Sequence, residues 1–236
     1  MKKIVISQPM FLPWVGLFEQ IKAADVYVHY DDVQLPQGRS FMNRVQIKTP
    51  NGSQWLTAPV IRGERLIKDT VFDHSQNWRD KQLRTLTHNY AKAPFVEEML
   101  TLAESIYSIE TNSLSEFNIY AIEKIAHYFE LDCIFEKSSN YNIQGSSSDK
   151  LLGLIFRLGG SVYITGHGAR NYLDHELFEK SGIRVEYIQY LRTPYPQLYE
   201  AFDPHVTILD LIANVGKSGI QWINSPTRYW KEFINE

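Results

Sequence analysis

The chain has 236 residues, with 24 Lys+Arg against 27 Asp+Glu, a formal net charge of -3, and 44% hydrophobic and 13% aromatic residues. That profile belongs to a folded globular protein and excludes a disordered chain, and the slightly acidic balance argues against nucleic acid as a partner. The single cysteine, Cys133, excludes an internal disulfide and a thiolate-built zinc site.

The length suits one α/β domain over 1–236, with a β-hairpin near 42–60 and a helical stretch near 77–130. Residues 3–7 form a short apolar run that Gln8-Pro9 interrupts, which reads as a buried strand and not as a signal peptide. Pro13 then opens a helix whose apolar face is Trp14, Leu17, Phe18, Ile21 and Ala24. Residues 25–30 read as a second strand. A polar loop leads to two extended runs, 44–48 and 54–60, joined by Pro50-Asn51-Gly52. There Asn-Gly predicts a tight turn, because both residues tolerate positive φ. A further strand is expected at 67–72. Helices are expected at 78–90 and 94–107. A third follows Ser113, which has capping-box spacing to Glu116, and carries the stripe Leu114, Phe117, Ala121, Ile122, Ile125 and Phe129.

The pattern then alternates. Strands at 132–136, 161–165 and 183–189 are separated by helices at 148–158 and 170–180, with more helix at 206–215 and 227–233. The 132–136 strand, with Cys133 inside it, reads as buried. Strand–helix alternation with apolar strands predicts a mostly parallel, Rossmann-like sheet with helices on both faces. No run approaches the ~20 apolar residues of a membrane helix. The expected protein is therefore cytoplasmic, with no membrane partner.

In open α/β sheets, ligands bind beyond the carboxyl ends of the strands. That rule selects Ser7, Gln8, Pro9, Met10 and Phe11 after the first strand, with Pro13 and Trp14 starting a helix whose free N–H groups attract an anion. It selects Asp31, Asp32, Gln34 and Arg39 after the second, and Gly166, His167, Gly168 and Arg170 after the strand ending at Thr165. Asn43, Arg44 and Lys48 join them if the hairpin folds over the same edge. Asp31 or Asp32 could accept a proton or bind Mg²⁺, and adjacent residues on extended chain point oppositely, so one of the two faces the site. Arg44 and Lys48 share a strand face with Gln46. With Arg39 they offer positive charge to a diphosphate. His167, between two glycines, can approach a ligand closely. Against each of these stands a structural role: a stiffened turn, a solvated cap, an exposed hairpin face, an exposed turn histidine. His29, His88 and His127 read as structural, and no metal-ligand spacing links any pair of histidines, so no metal ligand is named, and the cofactor and metal dependence are left open. The chain has no G-x-G-x-x-G after the first strand, no P-loop and no G-x-S-x-G elbow.

Ser7-Gln-Pro-Met-Phe-Leu-Pro-Trp-Val-Gly16, Ala24-Asp-Val-Tyr-Val28 and Asp31-Asp-Val-Gln34 resemble the WbqC-like family. Asn43-Arg-Val-Gln-Ile-Lys-Thr-Pro-Asn-Gly52, Trp55-Leu-Thr57, Tyr163-Ile-Thr-Gly166, Gly168-Ala169, Tyr172-Leu-Asp174, Tyr195-Pro-Gln197 and Ile208-Leu-Asp-Leu211 extend the likeness over nearly the whole chain. The resemblance implies a bacterial protein of surface-polysaccharide biosynthesis, described as a glycine transferase acting on O-antigen amino sugars. Many members carry His where this chain has Ser7. If that His is the base, the role passes here to Asp31, Asp32 or His167. The expected function is thus aminoacyl (glycyl) or acyl transfer to a nucleotide-linked amino sugar, with a sugar nucleotide as small-molecule substrate and a homodimer left open. The alternatives are a nucleotidyl transferase-like enzyme, which the missing H-x-G-H motif disfavours, and a non-catalytic binding module using Thr193-Pro-Tyr-Pro196 as an interface.

Overall fold

The computed structural model describes residues 1–38, 40–61, 63, 65–199 and 201–235. Strand β1 (Lys3–Ser7) leads through helix α1 (Val15–Ala23) to β2 (Val26–His29). The hairpin β3 (Arg44–Thr49) and β4 (Gly52–Thr57) follows, then α2 (Trp78–Tyr90), α3 (Val96–Tyr107) and α4 (Leu114–Tyr128). The remaining elements are β5 (Ile134–Lys137), α5 (Ser147–Arg157), β6 (Val162–Thr165), α6 (His175–Lys180), β7 (Arg184–Ile188), α7 (Ile208–Val215), β8 (Thr227–Tyr229) and α8 (Trp230–Ile234).

The six-stranded sheet has the order β5-β2-β1-β6-β7-β8, parallel throughout except for the antiparallel β7–β8 pair, and the hairpin β3–β4 stands apart from it. The expected mostly parallel α/β architecture is therefore the observed one. Its layers follow from the two-residue period of a strand. Val5, Tyr27, Val162 and Ile164 face a core shared with α1, α3, α4 and α7. Their neighbours Ile4, Ile6, Val26, Val28 and Tyr163 face a second core built with α5 and α6, against which Trp230 and Phe233 of α8 pack. The chain leaves β1 toward β2 on one side and returns to β6 on the other, so β1/β6 is where the strand order reverses. In doubly wound sheets that switch point opens a crevice.

Several local expectations are corrected. The segment 67–72 is not a strand. Ile67–Asp69 is a 3-10 turn whose Ile67 and Lys68 N–H groups bond to the carbonyls of Val33 and Asp31, and only single bridges, Val60–Phe72 and Val71–Ser113, follow. The 227–233 segment starts as strand β8, because the outer edge of β7 takes it up by backbone pairing, and becomes helical only at Trp230. Strand β5 is an edge strand and not a buried one: Ile134 is 59% exposed. Helix α1 begins at Val15, after Pro13 rather than at it, because Trp14 bridges to Thr207 and the Pro13 carbonyl accepts the N–H of Ile208.

The hairpin turn is also shifted by one residue. Thr49 pairs with Gly52, so Pro50 and Asn51 are the central pair, and only Gly52 has positive φ, at 102°. With Asn51-Gly52 central, Pro50 would have to pair with Ser53 and lacks the N–H to do so; at the first central position its fixed negative φ suits a turn of ordinary hand, and Gly52 absorbs the change of direction.

Candidate functional site at the sheet switch point

A cleft of about 750 Å³ lies at the carboxyl ends of the parallel strands. Ser7 and Gln8 come to it from the end of β1, and Tyr30 from the end of β2. Thr165, Gly166, His167 and Gly168 come from the end of β6, and Tyr190 and Arg192 from the segment after β7. Gln20 of α1, Gln34, Ser147 of α5, Trp14, Tyr163, Tyr172 and His205 complete its polar and aromatic lining. The volume is in the range of small-molecule sites. Among the described residues no Asp or Glu lines it, while Arg192, His167 and His205 do.

The imidazole of His167 is oriented by the backbone. Its Nε2 lies 2.8 Å from the carbonyl oxygen of Ile188, which can only accept, so Nε2 carries a proton, and in the neutral ring Nδ1 presents the lone pair. The ring packs on Tyr190 and Phe233, with centroids 4.9 and 4.8 Å away. Tyr190 accepts a hydrogen bond from Gln20 Nε2 at 2.5 Å. Gly166 must lack a side chain because a Cβ there would lie 2.7 Å from the Tyr190 hydroxyl. Burial pushes the Tyr30 phenol up to about 12, and the nearby Asp32 carboxylate adds to it. Burial raises Tyr190 further still. Both phenols therefore stay protonated and can donate to a ligand oxygen.

Trp14 also lines an adjoining apolar pocket of about 240 Å³ with Phe11, Pro13, Phe41 and Arg44; Met10 and His205 border both spaces. Arg44 lies over the Trp55 ring, 4.0 Å from its centroid. Gln8 and Gly166 thus share the main cleft, and Arg44 stands in the adjoining pocket.

The other candidate residues are placed elsewhere. Asp31 is buried: Ser138 and Ser139 supply its carboxylate with bonds of 3.0, 3.0 and 2.8 Å. Asp32 pairs with Lys150 at 2.8 Å, with side-chain exposures of 12% and 10%. Neither carboxylate lines the cleft. Lys48 is buried and donates to Gln197 and to the carbonyl of Ala201. The residues that follow Tyr195 cover one end of the hairpin face that Arg44, Gln46 and Lys48 share. Asn43 closes the hairpin base by bonding Ala58. Pro9 and Phe11 are buried, Pro9 through its carbonyl on Asn118 and Phe11 by stacking on Phe117. Arg170 donates to the carbonyl of Ile234. Arg39 lies outside the described residues. Among the described residues no group of three His, Cys, Asp or Glu side chains could hold a metal ion.

The sequence reading did not select Tyr190 or Arg192. The signal was available, since the carboxyl-end rule applied to β7 points to them directly. Nothing in the sequence marks His205, which arrives through a long loop.

The family model of the WbqC-like proteins matches residues 8–222. The chain belongs to the WbqC-like protein family. Membership suggests a role in polysaccharide biosynthesis. A curated relative from Mycobacterium tuberculosis (strain ATCC 25618 / H37Rv), the uncharacterized protein Rv1507c, is 34% identical over 221 residues, covering 92% of this chain and 95% of its own. No solved structure matches. The family match begins within the loop after β1 and ends before β8, so the WbqC-like region takes in the parallel sheet from β2 to β7 and most of the cleft. No helix among the described residues is long and apolar enough to cross a membrane.

Proposed function

We propose that this WbqC-like protein binds a nucleotide-linked amino sugar in the switch-point cleft and transfers an aminoacyl or acyl group to its amine. The observation that carries the reading is the lining: one Arg, two His and several phenol and amide donors, with no carboxylate among the described residues to repel a diphosphate. The family suggestion of polysaccharide biosynthesis makes a sugar nucleotide the natural anion.

In this reading the sugar amine attacks the carbonyl carbon of an activated acyl donor, a C–N bond forms, and the bond to the donor's leaving group breaks. His167 Nδ1 takes the proton that the attacking nitrogen sheds, and the backbone bond to Nε2 holds the ring for that transfer. Tyr30 and Tyr190 are donors for ligand oxygens.

The test is mass spectrometry after incubation with UDP-, dTDP- and GDP-linked amino sugars and a panel of acyl and aminoacyl donors. The expected result is a mass gain of one acyl group on one sugar nucleotide, with His167→Ala lowering kcat by about 10²–10⁴-fold. No gain with any donor, together with no binding of any sugar nucleotide, refutes the reading.

A further inference from the structure

Helix α1 carries two consecutive buried polar residues, Glu19 and Gln20, 5% and 6% exposed. Polar groups in a core are costly unless partnered, so their partners matter. Both engage the segment just after β7. Gln20 Nε2 donates to the Tyr190 hydroxyl at 2.5 Å. Glu19 Oε1 accepts from Ser225 Oγ at 2.6 Å, and that same Ser225 oxygen accepts the backbone N–H of Leu191 at 3.0 Å. The two residues flanking Leu191 are in the left-handed region: Tyr190 has φ 41° and Arg192 φ 51°. Neither is glycine, so the turn holds a conformation that L residues adopt at a cost and that its surroundings must enforce. The hydrogen bonds that tie the turn down come from Gln20 and, through Ser225, from Glu19, and the rings of Trp14 and His167 pack on Tyr190 beside them. What the turn delivers is Arg192, an exposed guanidinium at the cleft rim that makes no hydrogen bond or ion pair among the described residues.

The cations expected from the sequence are placed otherwise, with Lys48 buried and engaged and Arg44 stacked on Trp55 in the side pocket. We propose that Arg192 anchors the phosphate or diphosphate of the cleft ligand, and that Glu19, acting through Ser225, is the positioning residue that holds the turn carrying it. This rests on the reading of the cleft as an anion site. It adds that the affinity is set from beneath by a carboxylate that never touches the ligand. Two residues in the left-handed region, two buried polar side chains and a serine relay are more than is needed to close a loop, and together they hold the backbone from which Arg192 projects.

The experiment is calorimetric titration of the full chain with inorganic pyrophosphate and with UDP-N-acetylglucosamine, alongside thermal melts. Arg192→Ala is expected to weaken both ligands about tenfold or more, as loss of a charge-assisted contact does. Ser225→Ala and Glu19→Ala are expected to weaken them about threefold to tenfold. Glu19→Gln, whose amide oxygen can still accept from Ser225, is expected to restore most of the affinity. Ser225→Ala removes one hydroxyl from a half-buried site and serves if Glu19→Ala does not fold. A purely structural staple would lower the melting temperature of Ser225→Ala and Glu19→Ala and leave their affinities at the wild-type value. That outcome overturns the positioning role while the cleft reading stands. Wild-type affinity in Arg192→Ala overturns the anchor. No binding by the wild type to either ligand overturns both.

Discussion

Asp210 is fully buried in α7 and accepts bonds from Tyr90 at 2.9 Å, Tyr195 at 2.6 Å and Gln197 at 2.8 Å. Burial raises its pKa, and these three donors and Lys48 pull the other way. The cluster joins α2, α7, the hairpin through Lys48 and the segment after Tyr195, which gives Tyr195-Pro-Gln197 and Ile208-Leu-Asp-Leu211 a shared physical purpose. Asp210→Ala leaves the two buried hydroxyls of Tyr90 and Tyr195 without their acceptor, while the Gln197 amide keeps the carbonyl of Asp203, and is expected to cost about 3 kcal/mol, read as a shift of the urea midpoint. Cys133 is quiet for a related reason: burial pushes its thiol up to about 12, so slow labelling by a thiol reagent at neutral pH is expected. At this scale the sequence was a fair guide to residue type and a poor one to direction. Asp31 and Asp32 stood where the strand-end rule put them, but the serines after β5 and Lys150 of α5 turned both carboxylates away from the cleft lining.

Helix α4 starts after Ser113, as its capping-box spacing and apolar stripe predict, because both are local features, and α2 spans the expected residues with Asn77 as its cap. Elements whose existence depends on a neighbour were harder to read. Strand β8 forms because β7 offers an unpaired edge, and Thr227-Arg228-Tyr229 has no strong pattern of its own. The ends of helices give a contrast that can be tested. Gly216, after α7, has φ 59° and ψ -148°, and a Cβ there would lie 2.6 Å from the Phe95 ring. Gly159, after α5, has φ 67° with nothing within 4 Å of such a Cβ. Gly159→Ala is expected to cost about 1 kcal/mol, the backbone penalty alone. Gly216→Ala is expected to cost about 3 kcal/mol or more, because the ring must also move. Chemical denaturation of the two variants measures the difference.

Across the whole molecule, buried titrating groups push the pH dependence of stability in opposite directions. Burial raises Asp210 and Glu19, so the folded state holds their protons more tightly and these groups lower stability as pH rises through and above the ordinary carboxylate range. His175 is buried, bonds the Tyr187 hydroxyl at 2.7 Å and stacks on Trp230, and burial lowers its pKa below 6.5. The unfolded chain then binds the proton first on acidification. The stability from His175 is complete above about pH 6.5 and is lost as pH falls toward its depressed folded value. His175→Gln keeps a polar partner for Tyr187 and removes the titration. Its melting temperature is expected to fall less between pH 7 and pH 5 than that of the wild type.

The sequence by itself determined the parallel α/β sheet, its parallel strands and the rim at which the cleft opens, since apolar periodicity and the carboxyl-end rule are properties of contiguous residues. It marked Gly166 and His167 for that rim. Only the tertiary structure decided which charges reach the cleft. Lys48 disappears beneath a segment some 150 positions away, and Arg192 is presented by a turn that α1 and the chain near Ser225 hold from two sides. Whether a polar side chain faces a ligand depends on what packs over it, and the covering residues lie too far along the chain for any local pattern to report them.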